Sequence, residues 1–155
     1  MINLDKYLLK VDSPSQYLGN ELNSIHKKEY KAHMAIVYPD LYEVGMSSLA
    51  VKILYGAVNS LDGVYMERAF ANKTDLEEMM RRDGEQLFSI ESKTPLKEFD
   101  ALGFSLSYEM TYTNVLNIMD LSGIPVERSR RGEEFPIIMA GGTGAYNPKV
   151  LERFV

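Results

Sequence analysis

From Met34 onward, short apolar runs alternate with polar loops and with stretches that have the 3.6-residue period of a helix. The apolar runs cover residues 34–38, 64–70, 101–106 and 135–140. A repeat of apolar run, loop and helical period is typical of βαβ units, in which parallel strands form a sheet between helices. The pattern therefore predicts an α/β fold with a mostly parallel sheet.

The helical stretches complete this pattern. A helix is predicted from Met46 to about Asn59, and another from about Thr111 to Leu121 with Gly123 as its C-cap. Thr74-x-x-Glu77 predicts a capping box and Gly84 a left-handed helix stop. In the first helix, the following apolar residues predict one stripe buried against the sheet: Met46, Leu49, Ala50, Ile53, Leu54, Ala57 and Val58. The expected fold is a flavodoxin-like (Rossmann-type) open parallel sheet in a three-layer α/β/α arrangement, with strand order 2-1-3-4.

The remaining segments define the domain organisation. We expect residues 1–30 to form an N-terminal helical extension, with Ser13-Pro14 starting a helix to about His26, and residues 31–155 to form the α/β domain. Residues 87–90 predict a short edge strand, residues 95–100 a helical turn, and Asn147-Pro148 the start of a last helix. Because such sheets normally continue with a fifth strand, we expect the chain to be a piece of a longer polypeptide, truncated before a last strand.

Composition excludes several classes of protein. The chain has no cysteine, so disulfides and a cysteine-ligated iron–sulfur cluster within it are excluded. A balance of 17 Lys and Arg against 22 Asp and Glu argues against nucleic-acid binding. The run Arg128–Arg131 fits a solvated turn, and a phosphate or RNA contact of this run is the alternative that stays open. We find no long apolar stretch and no signal-peptide pattern, which predicts a soluble, cytoplasmic domain without membrane contact.

The loops after the strands form the candidate site, because the carboxyl ends of parallel strands meet at one edge of the sheet. Glycines allow close backbone approach there, and hydroxyl groups supply donors. The residues concerned are Gly45, Ser47, Ser48, Ser105, Ser107, Gly141, Gly142, Thr143 and Gly144. Such loops are also small and polar in proteins without a ligand, so a purely structural role stays open.

Two further interpretations of these loops remain open. The run Gly141–Gly144 before a helix could bind an anion through free N–H groups, although no Walker lysine follows. Tyr108 and Tyr112 could form an aromatic platform over a flat ligand or could pack at a helix entry. His26 and His33 lie in no metal-spaced cluster and are expected in surface or connector positions.

Three motifs of the chain resemble those of cobalamin-binding domains. Asp40-x-Tyr42-x-x-Gly45, Ser105-x-Ser107 and Gly141-Gly142 stand where that family has Asp-x-His-x-x-Gly, Ser-x-Leu and Gly-Gly. More closely, most of the chain resembles the N-terminal region of a bacterial family of radical SAM proteins (Fe-S oxidoreductases) that carry a cobalamin-binding domain. The stretches that carry this resemblance are residues 17–23, 39–54, 87–104 and 140–148.

The resemblance implies a cofactor-binding domain that is not catalytic by itself. Since Tyr42 replaces the histidine that ligates cobalt, it implies base-off cobalamin with no protein nitrogen on the metal and Tyr42 on its lower side. In the parent protein, a C-terminal radical SAM domain of the same polypeptide would hold a [4Fe-4S] cluster and S-adenosylmethionine. The implied cofactor-binding residues are Asp40, Tyr42, Gly45, Ser47, Ser48, Ser105, Ser107, Tyr108, Gly141, Gly142 and Thr143.

Three functions stay open at this point. The domain could bind cobalamin, could be a degenerate domain that only packs on the radical SAM barrel or a protein partner, or could bind another phosphate-bearing small molecule. A cobalt-dependent spectrum separates the first from the others, and a large exposed apolar patch favours the second.

Overall fold

The structure is a computed structural model that describes residues 4–155; the first three residues of the predicted extension lie outside it. The strands are β1 (Ala32–Leu41), β2 (Val64–Ala71), β3 (Ala101–Ser105) and β4 (Ile137–Gly141). The helices are α1 (Asp5–Leu8), α2 (Tyr42–Ser47), α3 (Leu49–Asn59), α4 (Thr74–Asp83) and α5 (Tyr112–Leu121). None of these helices is both long and apolar enough to cross a lipid bilayer.

The four strands form one parallel sheet in the order β2-β1-β3-β4, which confirms the predicted fold class and strand order. Met34 of β1 lies opposite Met66 of β2 and Ala101 of β3, and Ala101 lies opposite Ile137 of β4. The long strand β1 is therefore central, and β2 and β4 are the edges.

Alternate residues of β1 point into two separate apolar clusters, one on each side of the sheet. Ile36 and Tyr38 pack with Val51 and Tyr55 of α3, and we call this side the α3 face. Ala35 and Val37 belong to the other cluster, together with α4 and α5, and we call that side the α4–α5 face. Helices on both sides of the sheet give the three layers expected from the sequence.

The predicted stripe of the first helix is wrong. The helix breaks at Ser48, whose backbone is extended, and α3 then buries Val51, Tyr55 and Asn59. Side-chain hydrogen bonds hold this face inward, because the Asn59 amide bonds the backbone of Met66 in both directions and the Tyr55 hydroxyl accepts from the Ile25 N–H. The remaining apolar residues of the stripe are mostly exposed, with Leu49 at 69%, Ile53 at 58% and Leu54 at 47%.

The N-terminal extension also differs from the prediction. Only a 3₁₀ turn, Pro14–Tyr17, occupies the place of the predicted helix, and α1 was not predicted. Leu22, which lies within the range of the predicted helix, is 91% exposed. The segment is held instead by polar side chains, since Glu21 and Ser24 both accept hydrogen bonds from the guanidinium group of Arg68.

Smaller predictions had mixed outcomes. The edge strand at residues 87–90 is only one antiparallel bridge between Phe88 and Pro95, while the turn at Leu96–Glu98 is confirmed. The capping box is wrong, since the N-cap of α4 is Lys73 and no side chain caps it, but Gly84 ends α4 in the left-handed conformation as predicted. Asn147-Pro148 starts a 3₁₀ turn, Pro148–Val150, rather than a helix.

A buried carboxylate lies near the amino end of the sheet. Glu67 has no exposed surface, and its oxygens lie 2.7 Å from His33 Nε2, 2.5 Å from Ser89 Oγ and 2.8 Å from Ser92 Oγ. His33 is therefore a buried residue of β1 rather than the surface or connector residue expected from the sequence. Ser89 donates to the carboxylate and does not contact the imidazole. This group of side chains therefore does not pair a serine hydroxyl with a histidine base, as a nucleophilic serine requires.

Candidate functional site

The carboxyl ends of β1, β3 and β4 are joined by hydrogen bonds that the predicted site residues make. The Tyr108 hydroxyl donates to Asp40 at 2.5 Å, and this bond raises the pKa of Tyr108. The Tyr38 hydroxyl lies 3.2 Å from Ser107 Oγ, and Thr143 Oγ1 donates to the Ser107 carbonyl at 2.7 Å. Asp40, Ser107, Tyr108 and Thr143 thus lie together, and we call these four residues the rim cluster.

A cavity of about 310 Å³ opens next to the rim cluster, on the α3 face. Its floor is β3, which places only small residues on this side of the sheet. Gly103 and Ser105 point to the α3 face, and they alternate with Leu102 and Phe104, which belong to the cluster on the α4–α5 face. The other predicted residues that line it are Gly141 and Gly142. Its walls include Ala50 and Leu54 of α3 on one side and Met139 of β4 on the other.

Gly142 brings the loops after β3 and β4 together. Its φ is +102°, a backbone conformation that essentially only glycine adopts, and a Cβ atom there would overlap the carbonyl oxygen of Leu106. The same carbonyl accepts from the Gly144 N–H at 3.0 Å. The N–H groups of Ala145 and Tyr146 are also bonded within this loop. Fewer free N–H groups therefore remain for an anion than the sequence predicted.

Four of the implied cofactor-binding residues belong neither to the rim cluster nor to the cavity lining. Tyr42 donates to Glu21 at 3.0 Å and packs edge-on against Phe70; burial, followed by the bond to Glu21, raises the pKa of Tyr42 to about 12. Gly45 is buried against the Phe70 ring, and Ser47 donates to the carbonyl of Val44. Ser48 stands at the break between α2 and α3.

The site offers hydroxyl groups, one carboxylate and an apolar cavity, which are groups that can bind a ligand. Within residues 4–155, no group of three or more His, Cys, Asp and Glu side chains could hold a metal ion. Sequence reasoning missed Gly103, Ala50, Leu54 and Met139 as cavity residues. A glycine inside a strand, flanked by small residues at 101 and 105, is the signal that could have found the cavity floor.

A protein-family model described as the N-terminal region of radical SAM proteins matches residues 50–155, more than half of the chain. The chain belongs to this family. In this radical SAM N-terminal domain, the matched region contains the cavity floor and the loops after β2, β3 and β4, and it begins after the Asp40–Gly45 motif. Searches of curated proteins and of solved structures gave no match.

Proposed function

We propose that this radical SAM N-terminal domain binds a cobalamin cofactor in the base-off form, for a reaction carried out with a C-terminal radical SAM domain of the same polypeptide. That domain would hold the [4Fe-4S] cluster and S-adenosylmethionine. One observation carries the proposal: Ser105, Gly141 and Gly142, which come from two separate motifs, line one cavity beside the rim cluster. When bound, cobalamin supplies a cobalt centre for radical and alkyl-transfer chemistry.

The residues present fit the two ends of such a cofactor. An apolar cavity with a floor of small residues accommodates a flat aromatic base, and Gly103 and Gly141 let the ligand approach the backbone closely. Beside the cavity, the Ser107 hydroxyl accepts from Tyr38 and keeps its own proton for a ligand, whereas the hydroxyls of Tyr108 and Thr143 already donate to Asp40 and to the Ser107 carbonyl. Ser107 would therefore donate to an amide or phosphate oxygen of the rest of the molecule, and Tyr108 and Thr143 would accept from its amide N–H groups.

The cobalt would have no protein ligand in this proposal. Tyr42 points to Glu21, and its raised pKa keeps the phenol protonated at neutral pH, so it is a poor metal ligand. His33 bonds Glu67 at the amino end of β1, away from the rim. The base-off form without a histidine ligand predicted from the sequence is therefore retained, but Tyr42 is no longer assigned to the lower side.

Filling the cavity should abolish cofactor binding. The substitution Gly103→Leu places a side chain on the cavity floor, and since the nearest other atom to its Cβ is 3.9 Å away, the fold should tolerate it. We expect the unsubstituted chain to bind hydroxocobalamin with a base-off visible spectrum, and Gly103→Leu to weaken binding at least about tenfold, or 1.4 kcal/mol. Anaerobic titration followed by visible absorption and calorimetry measures both.

Gly56→Leu is the matched control, because it makes the same change on α3 where no atom lies within 4 Å of the new Cβ. It should leave binding unchanged. Equal binding by all three proteins would place the cofactor elsewhere. Absence of binding, both in this chain and in the full-length polypeptide, would refute the proposal and favour a degenerate domain that binds no cofactor.

Tyr42→Phe separates a structural role of this tyrosine from a role in metal ligation. Removing the hydroxyl deletes the bond to Glu21 and should lower the free energy of unfolding by about 1 kcal/mol. The visible spectrum of bound cobalamin should not change, because the phenol does not reach the cobalt in our proposal. Urea unfolding and the absorption spectrum test the two parts, and a shifted cobalt band in Tyr42→Phe would contradict this assignment.

A further inference from the structure

A second cavity, of about 730 Å³, lies at the amino end of β4, and we call it the arginine cavity. Part of its wall is apolar, because Phe135, Ile138 and Val155 line it and pack on the cluster of the α4–α5 face. Arg128 and Arg131 line it as well. The proposed cofactor cavity lies on the α3 face and shares no lining residue with it, so the two cavities are separate.

A 3₁₀ turn places the two arginines on the same side of the chain. The turn spans Arg128–Arg130, and the Arg131 N–H donates to the Arg128 carbonyl at 3.1 Å. Three residues complete a turn of such a helix, so residues three apart lie above one another. The Arg128 N–H also donates to the Arg153 carbonyl at 2.8 Å, which fixes the start of the turn. Arg130, on another side of the turn, does not line the cavity.

The side chain of Arg131 is held in place and still has donors for a ligand. Its Nη1 donates to the carbonyls of Pro125 and Val126 at 3.0 and 3.1 Å. A guanidinium group has five N–H donors, so those on Nη2 and Nε remain. Burial, followed by repulsion from Arg128, lowers the pKa of Arg131. The two positive charges therefore destabilise each other, and an anion bound between them would relieve the repulsion.

The described part of the chain supplies no carboxylate to neutralise this pair of arginines. Arg153 forms an ion pair with Glu127 at 2.8 Å, whereas within residues 4–155 neither Arg128 nor Arg131 forms one. Glu133 lines the same cavity without reaching either guanidinium group. Its carboxylate would repel an anion, so the negative group of a ligand belongs on the arginine side of the cavity.

We propose that the arginine cavity binds an organic phosphate, with the phosphate group between Arg128 and Arg131. The apolar part of the ligand packs on Phe135 and Ile138. Two guanidinium groups match the two negative charges of a phosphate monoester, and their planar N–H groups bond its oxygens in pairs. A monocarboxylate would leave one positive charge without a partner. This inference does not depend on cofactor binding, and the site lies at the other end of β4 from the Gly141–Gly144 loop.

Titration of the full-length polypeptide with phenyl phosphate, without cobalamin and followed by calorimetry, tests the proposal. We expect a Kd of about 1 mM or tighter. Inorganic phosphate, which lacks the apolar part, and benzoate, which carries a single charge, should both bind more weakly. Arg128→Gln should weaken the binding of phenyl phosphate at least about tenfold. The fold should tolerate this change, because the Arg128 side chain makes no hydrogen bond or ion pair within residues 4–155.

Arg130→Gln is the matched control, because it removes the same charge from the same exposed run but not from the cavity. It should leave the Kd within about twofold, a change of about 0.4 kcal/mol. If Arg128→Gln does not fold, Arg128→Lys keeps the charge, and the loss of paired N–H groups should still weaken binding.

Four results would overturn the proposal. The first is no binding of phenyl phosphate to the full-length polypeptide, even if the 155-residue chain binds it, because the cavity would then be covered. The second is an equal loss in Arg128→Gln and Arg130→Gln, which would indicate diffuse attraction by the whole run. The third is benzoate binding as tightly as phenyl phosphate. The fourth is an oligouridylate RNA that binds more tightly than phenyl phosphate and is weakened equally by both substitutions, because the run would then contact a nucleic-acid backbone.

Discussion

Replacing Gly142 with alanine should lower the free energy of unfolding by at least about 3 kcal/mol, which is a large part of the stability of a domain of this size. The cost has two sources. At φ +102° and ψ −179° the backbone is in a region that is essentially restricted to glycine, and the new methyl group would overlap the carbonyl oxygen of Leu106. Relief of the overlap requires the loops after β3 and β4 to separate.

Gly141→Ala is the control for this prediction. Gly141 is the last residue of β4, and no atom lies within 4 Å of the Cβ that the substitution adds. We expect a change within about 0.5 kcal/mol, since alanine also lowers the entropy of the unfolded chain. Urea unfolding followed by far-UV circular dichroism measures both variants. Similar values for the two would mean that the loop does not contact Leu106 as described.

The importance of Gly142 follows from how the rim is built. The Leu106 N–H donates to the Gly141 carbonyl, and the Leu106 carbonyl accepts from the Gly144 N–H, so β3 and β4 stay joined beyond the end of the sheet. Ser107 and Thr143, which extend from these two loops, are held together by this contact. A glycine required for close backbone packing therefore also positions the hydroxyl groups of the proposed cofactor site.

The sheet could be predicted from the sequence because its signal is local and periodic. Four apolar runs separated by helical stretches imply parallel strands, and the handedness rule leaves few strand orders. The rim cluster was predictable for the same reason. Asp40 lies at the end of β1, and Ser107 and Thr143 follow β3 and β4. The carboxyl ends of neighbouring parallel strands lie at one edge of the sheet whatever their side chains are.

The features that the sequence did not predict depend on partners far along the chain. Asn59 is polar, yet it is buried because its amide satisfies the backbone of Met66. Glu21 and Ser24 hold an irregular segment through Arg68, a residue more than 40 positions away. Apolar periodicity contains no information on such bonds, so it assigned the wrong face to α3 and a helix to the N-terminal extension.

Removal of the charge on Glu67 should strongly destabilise the sheet. Its carboxylate is fully buried and is bonded by His33, Ser89 and both the N–H and the hydroxyl of Ser92. Glu67→Gln keeps the shape but replaces an acceptor oxygen with a donor that faces these groups. We expect a loss of about 2–3 kcal/mol in the free energy of unfolding at pH 7, because the N–H and the hydroxyl of Ser92 would lose a charged acceptor.

Glu127→Gln is the matched control, because Glu127 makes an exposed ion pair with Arg153 at 2.8 Å. Exposed pairs of this kind contribute less than about 1 kcal/mol, so this variant should unfold at nearly the urea concentration of the unsubstituted protein. A loss of similar size in the two variants would show that Glu67 gains little from its buried partners.

The effect of Glu67→Gln should also depend on pH. Burial alone would raise the pKa of Glu67, but the hydrogen bonds from His33, Ser89 and Ser92 outweigh it and hold the pKa below the ordinary value of 4.5. Because the pKa is lower in the folded state than in the unfolded state, the contribution of the carboxylate is fully present above about pH 4.5 and is lost as the pH falls through the folded-state pKa. The difference between the unsubstituted protein and Glu67→Gln should therefore be largest near neutral pH and should shrink in acid. Urea unfolding of both proteins from neutral pH to below the folded-state pKa measures it, and a difference that stays constant over this range would contradict a lowered pKa.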